Sequence, residues 1–221
     1  MISKFKNKVI NYLVNKRFGK HKLQNFDFTI ICNNCIAGII YKELAMKFST
    51  PTINLYFYYP DYIKFLSNFE YYLNQKLVFV NVSKYNKNII NYPIGILHDI
   101  EIHFLHYEND FHAKSKWEER VKRINFNNLF IIGSDRDNCN KNDIINFDKL
   151  PFANKIFFSA KNYKNLKSVL WISKYKNENQ VGDLIKNQDW LNYFDLIYWL
   201  NTGNIKRFTI FKFIFNFIFG K

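Results

Sequence analysis

Short apolar runs that end in polar turns alternate with helical segments along this chain, and this order limits its possible folds more than any other feature. Runs typical of strands occupy residues 28–32, 53–58 and 77–82, and segments typical of helices occupy residues 38–48 and 61–75. Strands that alternate with helices form βαβ units, in which the strands are parallel and the connections right-handed. The first third of the chain therefore predicts a β-α-β-α-β order on a parallel sheet.

The pattern begins again in the second half of the chain. Further strands are predicted at residues 94–98, 100–105, 129–133, 155–159 and 168–173, and further helices at residues 113–124, 143–150 and 189–201. Because the βα order restarts near residue 129, we expect a compact, two-lobed, three-layer α/β arrangement with mostly parallel sheets. The lobes would be residues 23–105 and 106–204, and the two would share a cleft.

Basic charge is concentrated at the two ends of the chain. The net charge is +14, and the segment 1–22 carries seven Lys or Arg residues and no acidic residue. Within it, residues 2–17 place apolar side chains at helical spacing, which predicts a basic amphipathic helix. The tail, residues 205–221, is mostly Phe and Ile and predicts a second one. Three polar residues would share one face of that helix: Thr209, Lys212 and Asn216.

These ends predict contact with an anionic membrane surface. Anionic lipid attracts basic segments, and a largely apolar tail of about 15 residues is too short to span a bilayer but can lie in its interface. The alternative is that the tail packs on its own body or on a second copy. Nucleic acid is not expected as a partner, because no recognised binding motif accompanies the basic ends.

Nothing in the sequence indicates secretion or a membrane span. It has no signal-peptide pattern and no stretch of about 18 apolar residues. The three cysteines, Cys32, Cys35 and Cys139, do not make an even disulfide framework, so reduced thiols are expected. We therefore expect a cytoplasmic protein that is peripheral on the inner face of the cell membrane.

Polar residues follow two of the predicted strands. In open α/β sheets, ligands bind beyond the carboxyl ends of the strands, which is where these residues are expected. Asn33 and Asn34 precede a helix whose backbone amides could meet a phosphate or a sugar hydroxyl. Asp135 and Asp137 follow the strand at 129–133, and two carboxylates at this spacing can hold Mg or Mn, which neutralises a diphosphate. The structural alternatives are helix capping and an ordinary acidic turn. No dinucleotide or P-loop NTPase fingerprint is present.

A histidine-rich stretch offers candidates for a general base. Strict alternation places Asp99, Glu101 and His103 on one face of a strand, where they could act as base or metal ligands. A solvated outer face is the alternative for these three. His106 and Tyr107 come just past the strand, where a side chain can face a cleft. We therefore predict His106 as the catalytic base, with Asp135 as the second catalytic residue and Tyr107 as a substrate contact.

The helix predicted at 113–124 carries a basic face with an adjacent tryptophan. The residues predicted to bind substrate there are Lys116, Trp117, Arg120 and Arg123. An arginine side chain offers a planar fork of donors that suits phosphate, so this face could clamp the substrate. A charged surface helix paired with its own glutamates is the alternative.

Several stretches together resemble one protein family. They read TIICNNC at 29–35, STPTINL at 49–55, PIG at 93–95, FLHY at 104–107, KW at 116–117 with R at 120, RIN at 123–125, and WLN at 199–201. Their ordered set is similar to bacterial exopolysaccharide-biosynthesis proteins that carry a domain of unknown function, DUF1919, over roughly residues 25–203. The resemblance implies a compact two-lobed α/β fold and a role beside capsule or lipopolysaccharide glycosyltransferases. It includes Asn201, which joins the predicted substrate-binding residues.

We therefore expect an enzyme of surface-polysaccharide synthesis, a glycosyltransferase that acts on a nucleotide-sugar or a lipid-linked glycan at the membrane surface. In this hypothesis Asn33 and Asn34 hold the donor, His106 takes the acceptor proton, and Arg120 faces phosphate. It predicts that Asn33, Asn34 and His106 border a common cleft together with at least one of Asp135 and Arg120. The alternatives are transfer of a phosphate-linked substituent and a non-catalytic, membrane-associated partner of the assembly machinery.

Overall fold

The computed structural model describes residues 19–88 and 90–208. Within them the chain forms an α/β body, which confirms the predicted fold class. The strands are β1 Thr29–Cys32, β2 Leu77–Val80, β3 Ile94–Leu97, β4 Ile100–His103, β5 Leu129–Ser134, β6 Asn154–Ser159 and β7 Val169–Trp171. The α-helices are α1 Ile36–Glu43, α2 Tyr59–Ser67, α3 Phe69–Leu73, α4 Asp110–Val121, α5 Lys141–Lys149, α6 Leu184–Asn187 and α7 Leu196–Thr202.

The predicted amphipathic helix at residues 2–17 and the tail beyond residue 208 lie outside the described residues. Lys20–Lys22 forms one turn of 3-10 helix at the start of the body. Throughout the described part of the chain, each helix is too short or too polar to cross a membrane.

A four-stranded parallel sheet in the order β1-β5-β6-β7 forms the centre of the body. The side chains of Ile30 and Phe130 enter one hydrophobic core, beneath α1, α6 and α7. The side chains of Ile31 and Ile131 enter a second core, with helices α2 to α5. Strands buried on both faces in this way read as continuous apolar runs, so both β1 and β5 are recognisable in the sequence. The resulting order of layers is helix, sheet, helix, and the sheet takes strands from both predicted lobes.

The predicted β-α-β-α-β order in the first third of the chain is wrong. Strand β2 pairs with β3 in a separate antiparallel sheet of order β2-β3-β4, not in the parallel sheet. Residues 53–58 form no strand, and only Tyr56 makes an isolated bridge, to His103. Their apolar run marks burial in the core, which periodicity alone does not distinguish from a strand.

The segment 53–58 instead crosses the carboxyl end of the parallel sheet. The backbone amide of Phe57 donates to the carbonyl of Asn33 at 2.9 Å, and the amide of Tyr59 donates to the carbonyl of Asp137 at 2.7 Å. Its hydrogen bonds therefore go to the turns that follow β1 and β5. This segment links the end of the sheet to the edge of β4.

Two predicted helices are each interrupted. The helix predicted at 61–75 divides at Asn68, whose φ of −134° and ψ of 52° end α2. The helix predicted at 189–201 begins as a 3-10 turn, and α7 starts anew where the side chain of Asp195 accepts from the amide of Tyr198 at 3.0 Å. A side-chain cap of this kind satisfies a free amide of the first turn and fixes where the helix begins.

Each end of the described chain is attached to the body close to α7. The side-chain oxygen of Asn201 accepts from the amide of Gln24 at 2.8 Å, and its side-chain nitrogen donates to the carbonyl of Lys22 at 2.9 Å. The backbone amide of Phe208 donates to the carbonyl of Tyr193 at 2.9 Å. Asn201 therefore fastens the segment before β1 to the last helix.

Candidate functional site

A buried carboxylate, an imidazole and two tyrosine hydroxyls form a continuous chain of polar contacts at the outer face of β4. The Nε2 atom of His103 lies 2.6 Å from Oε1 of Glu101, and both side chains are almost fully buried. The Nδ1 atom of His103 is 3.2 Å from the hydroxyl of Tyr92, which is 2.9 Å from the hydroxyl of Tyr56. We call these four residues the relay. It runs from the interior to the half-buried Tyr56.

The carboxylate of Glu101 is held in place by the loop that follows β2. Its Oε2 atom accepts from the backbone amide of Lys84 at 2.9 Å, and its Oε1 atom accepts from the hydroxyl of Ser83. The amide of Glu101 donates to buried Asp61 at 2.8 Å, and the ammonium of Lys84 pairs with Asp61 at 2.7 Å. The buried acidic groups are therefore hydrogen-bonded or paired, as burial of charge requires.

The resting protonation states of the relay leave His103 able to accept a proton. Burial lowers the pKa of His103, and the Glu101 carboxylate opposes that shift. The Nε2 atom is close to Glu101 but outside hydrogen-bond geometry, so the two groups are in charge contact. A neutral imidazole with its proton on Nε2 leaves Nδ1 free to accept from Tyr92. Burial raises the pKa of Tyr56 and of Tyr92, so both hydroxyls keep their protons at neutral pH. Each member can then pass a proton inward while receiving one from outside.

Tyrosine rings surround the imidazole. The ring of Tyr56 stacks on His103 with centroids 4.6 Å apart, and the ring of Tyr58 meets His103 edge-on at 5.1 Å. Tyr58 in turn stacks on Tyr85 at 4.3 Å. Tyr56, Tyr58, Tyr85 and Tyr92 are all half-buried, so each residue remains partly open to solvent.

The carboxyl end of the parallel sheet brings Asn33 and Asp137 together. The side-chain nitrogen of Asn33 donates to Oδ2 of Asp137 at 3.4 Å, and burial raises the pKa of Asp137. The side-chain oxygen of Asn33 is buried without a hydrogen-bond partner among the described residues, as is the hydroxyl of Tyr59. Asn34 has a different role, since its side-chain oxygen accepts from the amide of Ile36 at the start of α1.

Asp135 binds the surrounding backbone. Its carboxylate accepts from the amides of Ala160 at 2.7 Å and Val181 at 2.8 Å, and from the hydroxyl of Ser159 at 3.0 Å. Asp135 and Asp137 therefore have different partners. Within residues 19–88 and 90–208 there is no group of three or more His, Cys, Asp or Glu side chains that could hold a metal ion.

Most side chains of the basic face predicted at 113–124 make contacts within the protein. Buried Arg120 donates to the hydroxyl of Tyr107 at 2.6 Å, and Tyr107 donates to the carbonyl of Ile53 at 2.8 Å. Arg123 donates to the carbonyl of Phe48 at 3.1 Å. These contacts hold the chain on either side of the 49–52 turn against α4.

The other predicted residues lie apart from the relay or within the core. Trp117 is buried in the second core, and Lys116 pairs with Glu119 at 2.9 Å. His106 is exposed, and its backbone amide donates to the carbonyl of Asn54 at 3.2 Å. Asn201 contacts the residues that precede β1, at the amino end of the parallel sheet and away from Asn33.

The spacing of Cys32 and Cys35 matches a C-x-x-C redox motif, but both thiols are poorly placed for thiolate chemistry. Burial raises the pKa of Cys32, and it raises the pKa of Cys35 to about 12. A reactive cysteine needs a lowered pKa and access to solvent. The pair is therefore a packing feature of the β1–α1 turn in its reduced form.

Two relay residues, Glu101 and His103, were candidates for base or metal ligand in the sequence, but His106 ranked above them, and Tyr56 and Tyr92 were not candidates. The alternation in β4 did place Glu101 and His103 on one face. It could not show that the loop after β2 covers this face, because the two segments are joined only by the tertiary fold. Tyr56 and Tyr92 gave no local signal of their own.

Comparison with known proteins places the chain in a family. The sequence profile described as "Domain of unknown function (DUF1919)" matches residues 4–201. The chain is also similar to a protein of Haemophilus influenzae described as "Uncharacterized protein", with 38% identity over 200 residues, which is 88% of this chain and 94% of the relative. The predicted family resemblance is thereby confirmed, whereas the link to exopolysaccharide stays a prediction. The chain belongs to the DUF1919 family.

Proposed function

We propose that the chain is an enzyme of surface-polysaccharide synthesis, a glycosyltransferase in which the relay removes the proton of an acceptor hydroxyl. One observation carries this proposal: His103 is buried between Glu101 and Tyr92, and its hydrogen bonds lead to the half-buried hydroxyl of Tyr56. Burying an imidazole and a carboxylate is costly compared with apolar packing, so such a pair suggests a chemical role.

The proposed step moves one proton along three hydrogen bonds. The acceptor hydroxyl gives its proton to the Tyr56 oxygen as Tyr56 passes its own to Tyr92 and Tyr92 passes its own to Nδ1 of His103. The imidazolium so formed faces the Glu101 carboxylate. The acceptor oxygen bonds to the anomeric carbon of the donor sugar, and the bond from that carbon to the phosphate oxygen breaks. The leaving phosphate departs with the electron pair, and His103 later returns the proton to solvent.

The donor in this proposal is a nucleotide-sugar or a lipid-linked glycan held near Asn33 and Asp137. Asp137 is connected to the segment that carries the relay residue Tyr56. The backbone amide of Tyr59, three residues after Tyr56, donates to the carbonyl of Asp137. The proposed step uses no metal ion, because among the described residues both oxygens of Asp135 already accept hydrogen bonds and Asp137 alone does not make a metal site. His103 takes the place of exposed His106 as the proposed base, because only His103 is hydrogen-bonded into a relay.

The proposed location is the cytoplasm, peripheral on the inner face of the cell membrane. Support comes from the basic ends, since the segment 1–22 carries seven Lys or Arg residues and no acid. A polysaccharide built on a lipid carrier would be within reach of an enzyme attached there.

The test is the variant His103→Gln, whose amide can still donate to Glu101 but cannot accept a proton at neutral pH. Membranes that contain the full-length protein would be supplied with radiolabelled nucleotide-sugars, and incorporation into glycan measured. Loss of a general base costs about 10²–10⁴ in rate, and we expect a loss of that size. The matched control is His21→Gln, an exposed histidine outside the relay.

Full incorporation by a folded His103→Gln variant would show that the relay is not catalytic. In that case the protein would be a non-catalytic partner of the assembly machinery. Analysis of the labelled product distinguishes transfer of a sugar from transfer of a phosphate-linked substituent. Only the second product contains phosphate between the transferred group and the glycan, and hydrolysis of that product releases it.

A further inference from the structure

Three tyrosine rings cluster next to the relay. We call Tyr56, Tyr58 and Tyr85 the tyrosine platform. Tyr58 and Tyr85 are stacked with centroids 4.3 Å apart, and Tyr56 meets Tyr58 edge-on at 5.6 Å. All three side chains are half-buried. The rings come from two segments of the chain, so the tertiary fold assembles the platform.

We propose that the tyrosine platform binds the apolar face of a pyranose ring, which identifies the acceptor as a glycan. This inference rests on the proposed function and names the acceptor of that same site. The carbon-bound hydrogens of a pyranose project from its two faces and pack well on the negatively charged face of an aromatic ring. Its hydroxyl groups project around the rim, where tyrosine hydroxyls can bond them.

The position of the platform suits the proposed chemistry. Tyr58 is 5.1 Å from the His103 ring, and Tyr56 belongs to both the platform and the relay. A sugar ring lying on the platform would therefore present a rim hydroxyl beside the hydroxyl of Tyr56. Binding and deprotonation would use opposite parts of one tyrosine, its ring and its oxygen.

An organic cation is the other ligand that aromatic clusters bind, and the charges here disfavour it. The ammonium of Lys84 already lies 5.1 Å from the centroid of the Tyr85 ring. The same ammonium pairs with buried Asp61 at 2.7 Å, which removes the negative charge that would attract a second cation. A neutral ring with many hydroxyls is compatible with these neighbours.

The test is binding of simple sugars to the full-length protein, measured by saturation-transfer difference NMR. The probes are methyl β-D-glucopyranoside and methyl β-D-galactopyranoside, with tetramethylammonium chloride as the cationic probe. We expect saturable binding of at least one glycoside. Tyr58→Ala should weaken it about three- to tenfold, as expected for loss of one aromatic contact, and Tyr58→Phe should keep it within about twofold. Tyr198→Ala, an exposed tyrosine elsewhere, is the matched control.

Three further variants keep the result interpretable. If Tyr58→Ala does not fold, the pair Tyr85→Ala and Tyr85→Phe gives the same comparison. Tyr56→Phe keeps the ring but removes the hydroxyl, so it should bind the glycoside and lose sugar transfer. Sugar binding without any transfer activity would leave the platform in place and reject the proposed reaction.

The platform assignment would be overturned by either of two results. One is the absence of saturable binding for both glycosides, whether or not tetramethylammonium binds. The other is equal glycoside affinity in folded Tyr58→Ala, Tyr85→Ala and the unchanged protein, which would put the sugar elsewhere.

Discussion

At His103, burial and a neighbouring carboxylate act on the imidazole in opposite directions. Burial lowers the pKa of His103, while Glu101 favours the protonated form. The net pKa is below the ordinary value of about 6.5, so the resting imidazole is neutral. It becomes charged only when a proton arrives through Tyr92, and Glu101 then stabilises it. This is the order of events that a general base requires.

The same shift predicts how stability depends on pH. Below about pH 6.5 the unfolded chain protonates its histidines, whereas folded His103 resists until its lower pKa is reached. The unfolded state then binds more protons, so the stability that neutral His103 contributes is lost as pH falls below about 6.5. Each unit of pKa depression corresponds to about 1.4 kcal/mol. We expect the melting temperature of the unchanged protein to fall more steeply between pH 7.5 and 5 than that of His103→Gln.

Differences between variants isolate this effect from other titrating groups. His21→Gln should keep the steep pH dependence, because His21 is exposed. Parallel melting curves for the unchanged protein and His103→Gln would mean that His103 titrates equally in the folded and unfolded chain.

Single residues also show what the sequence could and could not predict about the site. The alternation in β4 placed Glu101 and His103 on one face, and the polar strand end at Asn33 pointed to the carboxyl edge of the sheet. His106 was preferred as base because it follows the strand, yet its side chain is exposed. Which histidine is buried depends on the loop containing Lys84, and neither periodicity nor motif spacing carries that information.

At the scale of elements, the packing of β5 against β6 depends on the absence of one side chain. Gly133 is paired with Phe157, and a Cβ at Gly133 would lie 2.8 Å from that ring and 3.1 Å from Phe147. Both rings are fully buried, so neither can move aside freely. The glycine therefore makes room for two aromatic rings on one face of the sheet.

We expect Gly133→Ala to lower the free energy of unfolding by about 1–3 kcal/mol, the usual cost of overpacking a core. Gly38→Ala is the matched control. Gly38 lies in α1, and a Cβ there would meet only Ile53, at an ordinary 3.8 Å. Since alanine favours helix over glycine by about 0.8–1.0 kcal/mol, this substitution should stabilise the protein. Urea denaturation of both variants gives the comparison, and equal effects of the two would contradict it.

Elements of the parallel sheet were predictable because their runs are apolar on both faces, as at β1 and β5. The three strands of the antiparallel sheet were predicted as well, but the separate sheet that they form was not. Strand β2 is short and has one exposed face, with Val78 and Val80 open to solvent. The sequence of such a strand does not indicate which other strand it pairs with. Residues 53–58 show the reverse error, since a buried extended run was read as a strand although its amides bind turns.

For the whole molecule, the proposed membrane attachment depends on the two ends of the chain. Each basic residue near anionic lipid contributes about 1 kcal/mol, and salt screens this attraction. Each buried Phe or Ile contributes about 1.5–3 kcal/mol, which salt does not weaken. The tail from residue 209 is rich in Phe and Ile, so it would supply the salt-resistant part of the attachment.

We expect the full-length protein to co-sediment with anionic liposomes and to be only partly released by high salt. A variant that lacks residues 209–221 should stay folded, and its remaining binding should be salt-sensitive. The deletion begins at 209 because the chain up to Phe208 is hydrogen-bonded to the body: the amide of Asp195 donates to the carbonyl of Lys206 at 2.9 Å.

The rival interpretation is that the tail fills a groove on the body or on a second copy. It predicts that the deletion lowers the melting temperature or changes the oligomeric state, and that liposome binding is weak from the start. A melting curve and gel filtration of the same two proteins distinguish these outcomes.

The contacts of Asn201 have a consequence for how such an attachment would work. Asn201, near the end of α7, holds the segment at Lys22, and Tyr193, just before α7, holds the chain at Phe208. Both basic ends therefore begin close to this helix. If both touch one lipid surface, the attachment is bivalent: once one end is bound, the other meets the surface at a high effective concentration. Two contacts that are each weak and reversible would then give a long residence time. Loss of either end would shorten this residence time far more than twofold.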